Sequence, residues 1–297
     1  MQGMDISSLD LRKMYISSLD LRKSDLRKTK LCGLDFSDMD LTGANLSGVS
    51  LKGSNFNGAI LRNANLSGAQ MDGFRDRHNK LFIVSMVGAD LRGADLSKAS
   101  VRQADFTGSN LTNANLSGAI LRNACFRNSI LSEANLEGAD LGKVFFAGAI
   151  MKGANFNHTD CQGIKFNGTE LSMCTFQKAN LKKVDLSNQD LRSVDFSEAD
   201  LRRIDLRNSN LQKARFFKTD LRNSLLSEAN LEAAYLASAL MQGADLQWAN
   251  LNKAILRYSV DLTPSQVQSA NIDRETKVPQ YLEIHWISKN DFRCGKK

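Results

Sequence analysis

The dominant pattern is one large apolar residue in every five. Stepping by five through Leu46 meets Leu21, Leu26, Leu31, Phe36, Leu41, Leu51, Phe56, Leu61, Leu66 and Met71. The same phase resumes at Leu81, Met86, Leu91, Leu96, Val101 and Phe106 and continues to Leu256; on the N-terminal side it reaches back through Ile16 and Leu11 to Ile6. Asp76 is the one polar residue in this series, and Cys161 is the one other departure from Leu, Ile, Val, Met and Phe. Two residues before most centres stands a small residue, as at Ala44, Ser54, Ala64, Ala94 and Ala229, and Asp or Asn often sits immediately before the centre. A helix turns by ~500° in five residues, so the apolar stripe would wander around it. A strand would throw alternate centres onto opposite faces. A square coil satisfies the period: five residues make one side and one corner, and four sides close a turn of 20 residues.

The quintets Ala44-Asn-Leu-Ser-Gly, Ala89-Asp-Leu-Arg-Gly, Ala94-Asp-Leu-Ser-Lys and Ala114-Asn-Leu-Ser-Gly resemble the A(D/N)LXX pattern of the pentapeptide repeat family, over roughly residues 4 to 259. The resemblance implies an all-β fold, a right-handed quadrilateral parallel β-helix whose repeat region is not enzymatic. The expected solenoid has about 13 coils at roughly 4.8 Å each, the spacing of paired strands, and is about 60 Å long.

The phenylalanines bear on the 20-residue turn. Phe36, Phe56, Phe106, Phe126, Phe146, Phe156, Phe166, Phe176, Phe196 and Phe216 all fall on alternate sides of such a coil. Counted without interruption, Phe36, Phe56 and Phe156–Phe176–Phe196–Phe216 share one side, and Phe106–Phe126–Phe146–Phe166 the opposite one. The stretch Asp72-Gly-Phe-Arg-Asp-Arg-His-Asn-Lys breaks the pattern, because Phe74 is too large for a small-residue slot and Asp76 would carry an unpaired carboxylate into the core. The Phe sides agree across the break if 0, 10 or 20 residues are looped out. A ten-residue loop near 73–82 is favoured over a local bulge, and its Arg75, Arg77, His78 and Lys80 make it basic. Loops on solenoids are frequent sites of function; in the family's gyrase-protecting members, which confer quinolone resistance, projecting loops matter.

Both ends are atypical. Met4, Leu9, Met14 and Leu19 occupy the small-residue row, and the segment Asp5–Lys13 recurs nearly verbatim as Tyr15–Lys23, which suggests a widened end coil. Near Val260 the register is lost. Thr263 followed by Pro264 is a strong helix start, so 260–297 is expected to form a capping helix and tail over the open edge of the last coil. The segment Tyr281–Ile287 is apolar enough to pack on that cap. The run Leu262-Thr-Pro-Ser-Gln-Val267 is similar to the LTPxQV tail of many bacterial members.

The chain has 297 residues, 39 Lys and Arg against 32 Asp and Glu, and a net charge of +7. That weighs against a rod that imitates an acidic polymer. No apolar run approaches a membrane span, and Met1–Lys13 has no continuous apolar stretch, so no secretory signal is expected. Five cysteines do not suggest a disulfide framework, and the expected compartment is the bacterial cytoplasm, with secretion as an effector left open. His78, His158 and His285 are far apart, no metal or nucleotide motif is present, and no catalytic residue or cofactor is expected. The residues that follow the repeats are too few for an enzyme domain.

On the side counted from centres 21, 41 and 61, the turn residues include Arg22, Lys23, Arg62, Arg102, Arg122, Lys143, Lys182, Lys183, Arg202, Arg203 and Arg222. They are candidate contacts for an acidic partner. The alternative is a solvated face partly neutralised by Asp20, Asp40, Asp140, Asp160, Asp200 and Asp220. The expected function is a scaffold that binds a partner macromolecule, a protein in the first instance, as a monomer or end-to-end dimer. Alternatives are a gyrase-directed DNA mimic of the resistance type, and a binder of nucleic acid or an anionic membrane surface through the basic side.

Overall fold

In the computed structural model, Leu11, residues 15–288 and residues 291–297 are described. Met4, Leu9, Met14 and the segment Asp5–Lys13, Leu11 apart, lie outside them. The chain forms two compact units: Met1–Asn155 with Asn167–Thr169, and Phe156–Phe166 with Glu170–Lys297. Each is a right-handed quadrilateral β-helix in its repeats.

The reason five residues suffice for a side is visible in the quintet at Leu116. Its five backbone N–H groups all find acceptors. Leu116 donates to Asn135 O at 2.7 Å and Gly118 to Glu137 O at 2.8 Å, both on the following coil. Ala119 closes the corner onto Leu116 O at 3.1 Å, and Ile120 donates to Ala99 O at 2.9 Å on the preceding coil. The fifth, Ser117 N–H, donates to the side-chain Oδ1 of Asn115 at 3.1 Å. The Asp or Asn before the centre is therefore the acceptor for the one N–H that the coils leave unpaired, an Asx-turn.

The second residue after the centre takes φ between 53° and 77° at every such position from Lys23 to Tyr258 outside the 73–83 interruption. This is the third position of a tight turn, where the left-handed conformation suits Gly and Asn. Inside, the described centres outside the interruption are buried, as are nearly all the residues two before them; Leu19, Leu34 and Gln189, larger than the usual Ala or Ser, are half-buried there. At several positions where the small residue is Ser or Thr, its hydroxyl donates to a backbone carbonyl, as Ser109 does to Phe106 O at 2.7 Å and Thr159 to Phe156 O at 2.6 Å; the hydroxyls of Ser224 and Ser259 are buried without a partner among the described residues.

Parallel bridges join residues 20 apart, as Asn45 to Asn65, until the interruption. There Asn55 pairs with Ser85, Ile60 with Asp90, Asn65 with Asp95 and Gln70 with Ser100, and from Ser85 to Asp105 the spacing is 20 again. Ten residues, half a coil, are thus outside the ladder. They form a β-hairpin of β1 (Phe74–Arg75) and β2 (Leu81–Phe82). Asp76 is not in the core: its Oδ1 accepts the N–H groups of His78 and Lys80, both at 2.9 Å, at the hairpin tip. Phe74 and Phe82 stack at 5.3 Å over Gly53, where an added Cβ would come within 3.1 Å of the Phe74 ring.

The half-coil shift corrects the phenylalanine sides. Phe36 and Phe56, stacked at 4.8 Å, stand on the wall of Phe106, Phe126 and Phe146 rather than opposite it. Met86 occupies the intervening coil, since Phe56 donates to Ser85 O and Met86 to Asp105 O. In the second unit Phe156, Phe176, Phe196 and Phe216 stack at 4.9, 5.5 and 5.4 Å, and Phe166 meets Phe156 and Phe176 edge-on at 6.2 Å.

The end of the second unit is covered as its last ladder bonds require. Asn271 bridges to Asn250 and Lys277 to Ile255, so the tail carries the ladder one layer further. Before Asn271 lies α1 (Pro264–Gln268), started by a capping box of Thr263 and Gln266. The Gln266 amide also donates to Met241 O and Ala244 O at 2.9 and 2.8 Å, which satisfies open-edge carbonyls. The tail is not helix alone. β3 (Leu282–Trp286) and β4 (Phe292–Lys296) form an antiparallel hairpin with Leu282 and Phe292 buried.

Deleting residues 74 to 83 joins Gly73 to Val84 and restores an unbroken five-residue spacing. The variant is expected to keep the β-helix circular-dichroism spectrum and to change urea stability by no more than about 1–2 kcal/mol; loss of cooperative unfolding would contradict the half-coil insertion.

Candidate interaction surface

The outward side chains stand in columns, one above another on successive coils. Their chemistry is set by the two residues flanking each centre. Where the quintet reads Asp-Leu-Arg, the aspartate two residues before the arginine accepts its backbone N–H, its Nε and its Nη2. This clamp recurs as Arg22–Asp20, Arg27–Asp25, Arg92–Asp90, Arg192–Asp190, Arg207–Asp205 and Arg222–Asp220 at 2.6 Å, and as Arg202–Asp200 at 2.5 Å. Where Ile stands before the centre, as in Ile60-Leu-Arg62 and Ile120-Leu-Arg122, the arginine reaches the next coil instead: Arg62 Nε to Asp90 and Arg122 Nε to Asp140, both 2.6 Å. Asp90 thus holds Arg62 and Arg92 together. Its hydrogen bonds from Arg92, supplemented by Arg62, hold its carboxyl well below the usual carboxylate range, against the opposing effect of burial. The side-chain hydrogen bond from Arg22 likewise brings Asp20 down to about 2.

The eleven sequence-derived basic positions do not form one side. The hairpin removes half a coil from the ladder, so later residues move two walls around. Arg22, Lys23 and Arg62 lie on the wall of Arg92, since Lys23 donates to Thr42 O, Gly43 to Arg62 O and Asn63 to Arg92 O. Arg102, Arg122 and Lys143 lie on the opposite wall, where Gly73 donates to Arg102 O and Gln103 to Arg122 O. That wall carries an acid among its turn residues, Asp72, paired with Arg102 at 3.1 Å. In the second unit Lys182, Lys183, Arg202, Arg203 and Arg222 do share one wall, through Lys183 N–H to Arg202 O and Arg203 N–H to Arg222 O. Arg202 and Arg222 are clamped by Asp200 and Asp220. Lys182, Lys183 and Arg203 have no carboxylate within ion-pair distance among the described residues.

The hairpin brings Arg75, Arg77, His78 and Lys80 to one tip. Arg75 Nη1 donates to Asn79 O at 2.8 Å, Arg77 Nε to His78 Nε2 at 3.0 Å, and the Lys80 ammonium lies 5.1 Å from the Phe82 ring. The outward aromatics Phe217 and Tyr258, joined by Tyr235, stand on one wall of the second unit. Trp248 stands on another, and Tyr15 is 92% exposed in the first unit. Among the described residues no group of three or more His, Cys, Asp or Glu could hold a metal ion, and no helix is long and apolar enough to cross a membrane. Cys161 and Cys174 are buried, and burial pushes the Cys161 thiol up to about 12.

Sequence comparison matches residues 139–216 to the pentapeptide repeat region family and residues 20–58, 40–75, 86–128 and 219–257 to the pentapeptide repeats family (8 copies). The chain belongs to the pentapeptide repeat family. Among solved structures it is similar to HetL, a pentapeptide repeat protein involved in heterocyst differentiation regulation from the cyanobacterium Nostoc sp. strain PCC 7120, at 26% identity over 74% of this chain and 90% of that one, with a TM-score of 0.34. A pentapeptide repeat protein of the Arabidopsis thaliana thylakoid lumen is 34% identical over 42% of this chain and 66% of that one, with a TM-score of 0.23. The plasmid-mediated fluoroquinolone resistance protein QnrB1 is 16% identical over 84% of this chain and 90% of that one, with a TM-score of 0.23. No curated protein matches the chain.

Asp90→Asn is expected to lower stability at pH 7 by about 1 kcal/mol, discounted for the half-exposed arginines. A carboxyl depressed in the folded state contributes stability that is present above the unfolded value of about 3.9 and is lost as pH falls through the folded one. Urea titrations should therefore show the wild-type advantage over the variant shrinking between about pH 4 and pH 2; an advantage that grows on acidification would contradict the clamp.

Proposed function

We propose that this protein is a non-enzymatic interaction scaffold, and that the wall of Lys182, Lys183, Arg202, Arg203 and Arg222 meets an acidic surface of a partner protein. The observation that carries the reading is the division of labour on that wall. Asp200 and Asp220 fix Arg202 and Arg222 in place, while Lys182, Lys183 and Arg203 project beside them with no carboxylate within ion-pair distance among the described residues, Lys182 near enough to Asp200 only to help Arg202 depress its carboxyl. Side chains held before a partner arrives lose less freedom on binding, and a repeating coil presents them at regular spacing. The net charge of +7 and the arginine clamp on each Asp-Leu-Arg aspartate among the described residues weaken the DNA-mimic alternative, which needs carboxylates free to stand where phosphates would. Cys32, Cys125, Cys161, Cys174 and Cys294 form no disulfide, which fits a reducing compartment such as the cytoplasm.

The wild type and a Lys182→Glu/Lys183→Glu/Arg203→Glu variant, used as bait in extract from the source organism, test this directly. The wild type should recover a partner that the variant recovers at least about tenfold less well, with recovery falling as salt rises. Equal recovery of the same partner would remove the wall from the account.

A further inference from the structure

The cap of the second unit adds relief beside the last coil. There Tyr258, 65% exposed, stands at the left-handed position that each quintet has two residues after its centre, φ 63°. Two open clefts, about 830 and 470 Å³, share Tyr258, Pro279, Gln280 and Lys297 in their linings. The larger adds Val260, 44% exposed, and Tyr281. The smaller adds Arg257 and Lys277. Lys296 lines the larger as well, so four cationic side chains face the two clefts and Asp261 is the one acidic side chain lining them.

The surroundings are built to hold shape. The Tyr281 hydroxyl accepts the Leu262 N–H and donates to Ser259 O, both at 3.0 Å, which pins the chain where it leaves the last coil. Lys297 N–H donates to Tyr281 O at 3.1 Å, and the ladder bond from Leu256 N–H to Lys277 O, 2.7 Å, places Lys277 one layer above Arg257's coil.

We propose that these two clefts form a docking site for an acidic segment of a partner protein. One large apolar side chain enters the larger cleft beside Val260, Tyr258 and Tyr281, and neighbouring carboxylates meet Arg257, Lys277 and Lys297. The inference rests on the scaffold reading and adds a second contact to it. Exposed tyrosine beside arginine is the pairing that concentrates binding energy in protein interfaces, and the lysines around it supply the sign that selects an acidic segment. Single-stranded nucleic acid is the weaker fit, because it is held by a run of open ring faces along a track. The other rings on this wall are already covered: Lys218 lies 5.1 Å from the Phe217 ring and Arg215 lies 5.6 Å from Tyr235.

The test uses the full chain and a fluorescein-labelled peptide Asp-Glu-Phe-Glu-Asp, read by anisotropy, with the Phe-to-Ser peptide and a twelve-nucleotide oligothymidylate as comparison probes. The wild type should bind the first peptide saturably. Lys277→Glu should weaken it at least about tenfold and Tyr258→Gly about fivefold, while Lys30→Glu, at an exposed position of the first unit, leaves it unchanged. Glycine suits the left-handed position and Lys277 is exposed, so both variants should keep the wild-type melting temperature; if either does not, Lys297→Glu replaces it. Absent saturable binding, equal binding by the Lys277 and Tyr258 variants, or tighter binding of the oligothymidylate than of the peptide each overturns the proposal. Should the peptide fail while the triple lysine–arginine variant still loses its partner from extract, the cap site falls and the scaffold reading stands.

Discussion

The structure depends on closing a backbone ladder in steps of five residues. Each quintet turns a corner, and where Asp or Asn precedes the centre all five donors are placed, divided among the coil before, the coil after, the corner itself and one side chain. The Leu116 quintet shows the full set: two N–H groups go to the next coil, one to the previous coil, one to the turn carbonyl, and one to Asn115 Oδ1. Two sequence preferences follow from this single constraint. Asp or Asn precedes the centre because an acceptor is needed there, and Gly or Asn recurs two residues after the centre because the corner requires a left-handed residue. The core is then one large side chain deep per side, so phenylalanines on successive coils can stack at about 5 Å with nearly parallel rings.

Much of this was legible in the residues. The five-residue period predicts the fold class, and the confinement of the phenylalanines to alternate sides argues for a 20-residue turn. The misfit of Phe74 and Asp76 locates the interruption. What the sequence left open was how the walls rejoin after it. A half-coil insertion preserves alternation, so the Phe test cannot tell a shift of two walls from none, and an uninterrupted count misplaces both the phenylalanine columns and the basic side. The signal for the ion-pair clamps was present in the tripeptide Asp-Leu-Arg, but its meaning depends on knowing that the residues flanking an inward centre project outward side by side. The terminal hairpin was harder to see, because Leu282–Trp286 needs its partner Phe292–Lys296 from across an intervening turn.

The same geometry explains why the surface suits recognition. Because the backbone is fixed by the ladder and Asp clamps fix many arginines, the charged columns are ordered before any partner arrives. Variation in the residues flanking each centre then changes the surface without disturbing the core. The aspartates matter twice: Asp200 and Asp220 complete a turn and orient an arginine, leaving the neighbouring Lys182, Lys183 and Arg203 to set the sign of the wall. At the cap, the extra layer that closes the ladder also creates relief that a plain coil lacks, and it is there that Tyr258 and its cationic neighbours stand.

Pairs of cysteines placed on either side of the hairpin measure the wall assignment most directly. In a background with Cys32, Cys125 and Cys294 changed to serine, Ser67→Cys/Ser97→Cys sets the two thiols on adjacent coils of one wall, where Gly68 donates to Ser97 O. Ser67→Cys/Val87→Cys, at the uninterrupted spacing of 20, sets them on opposite walls. A short bifunctional thiol reagent should join the first pair and leave the second apart; efficient joining of the second pair with none of the first would contradict the half-coil shift on which the placement of every surface residue in the first unit rests.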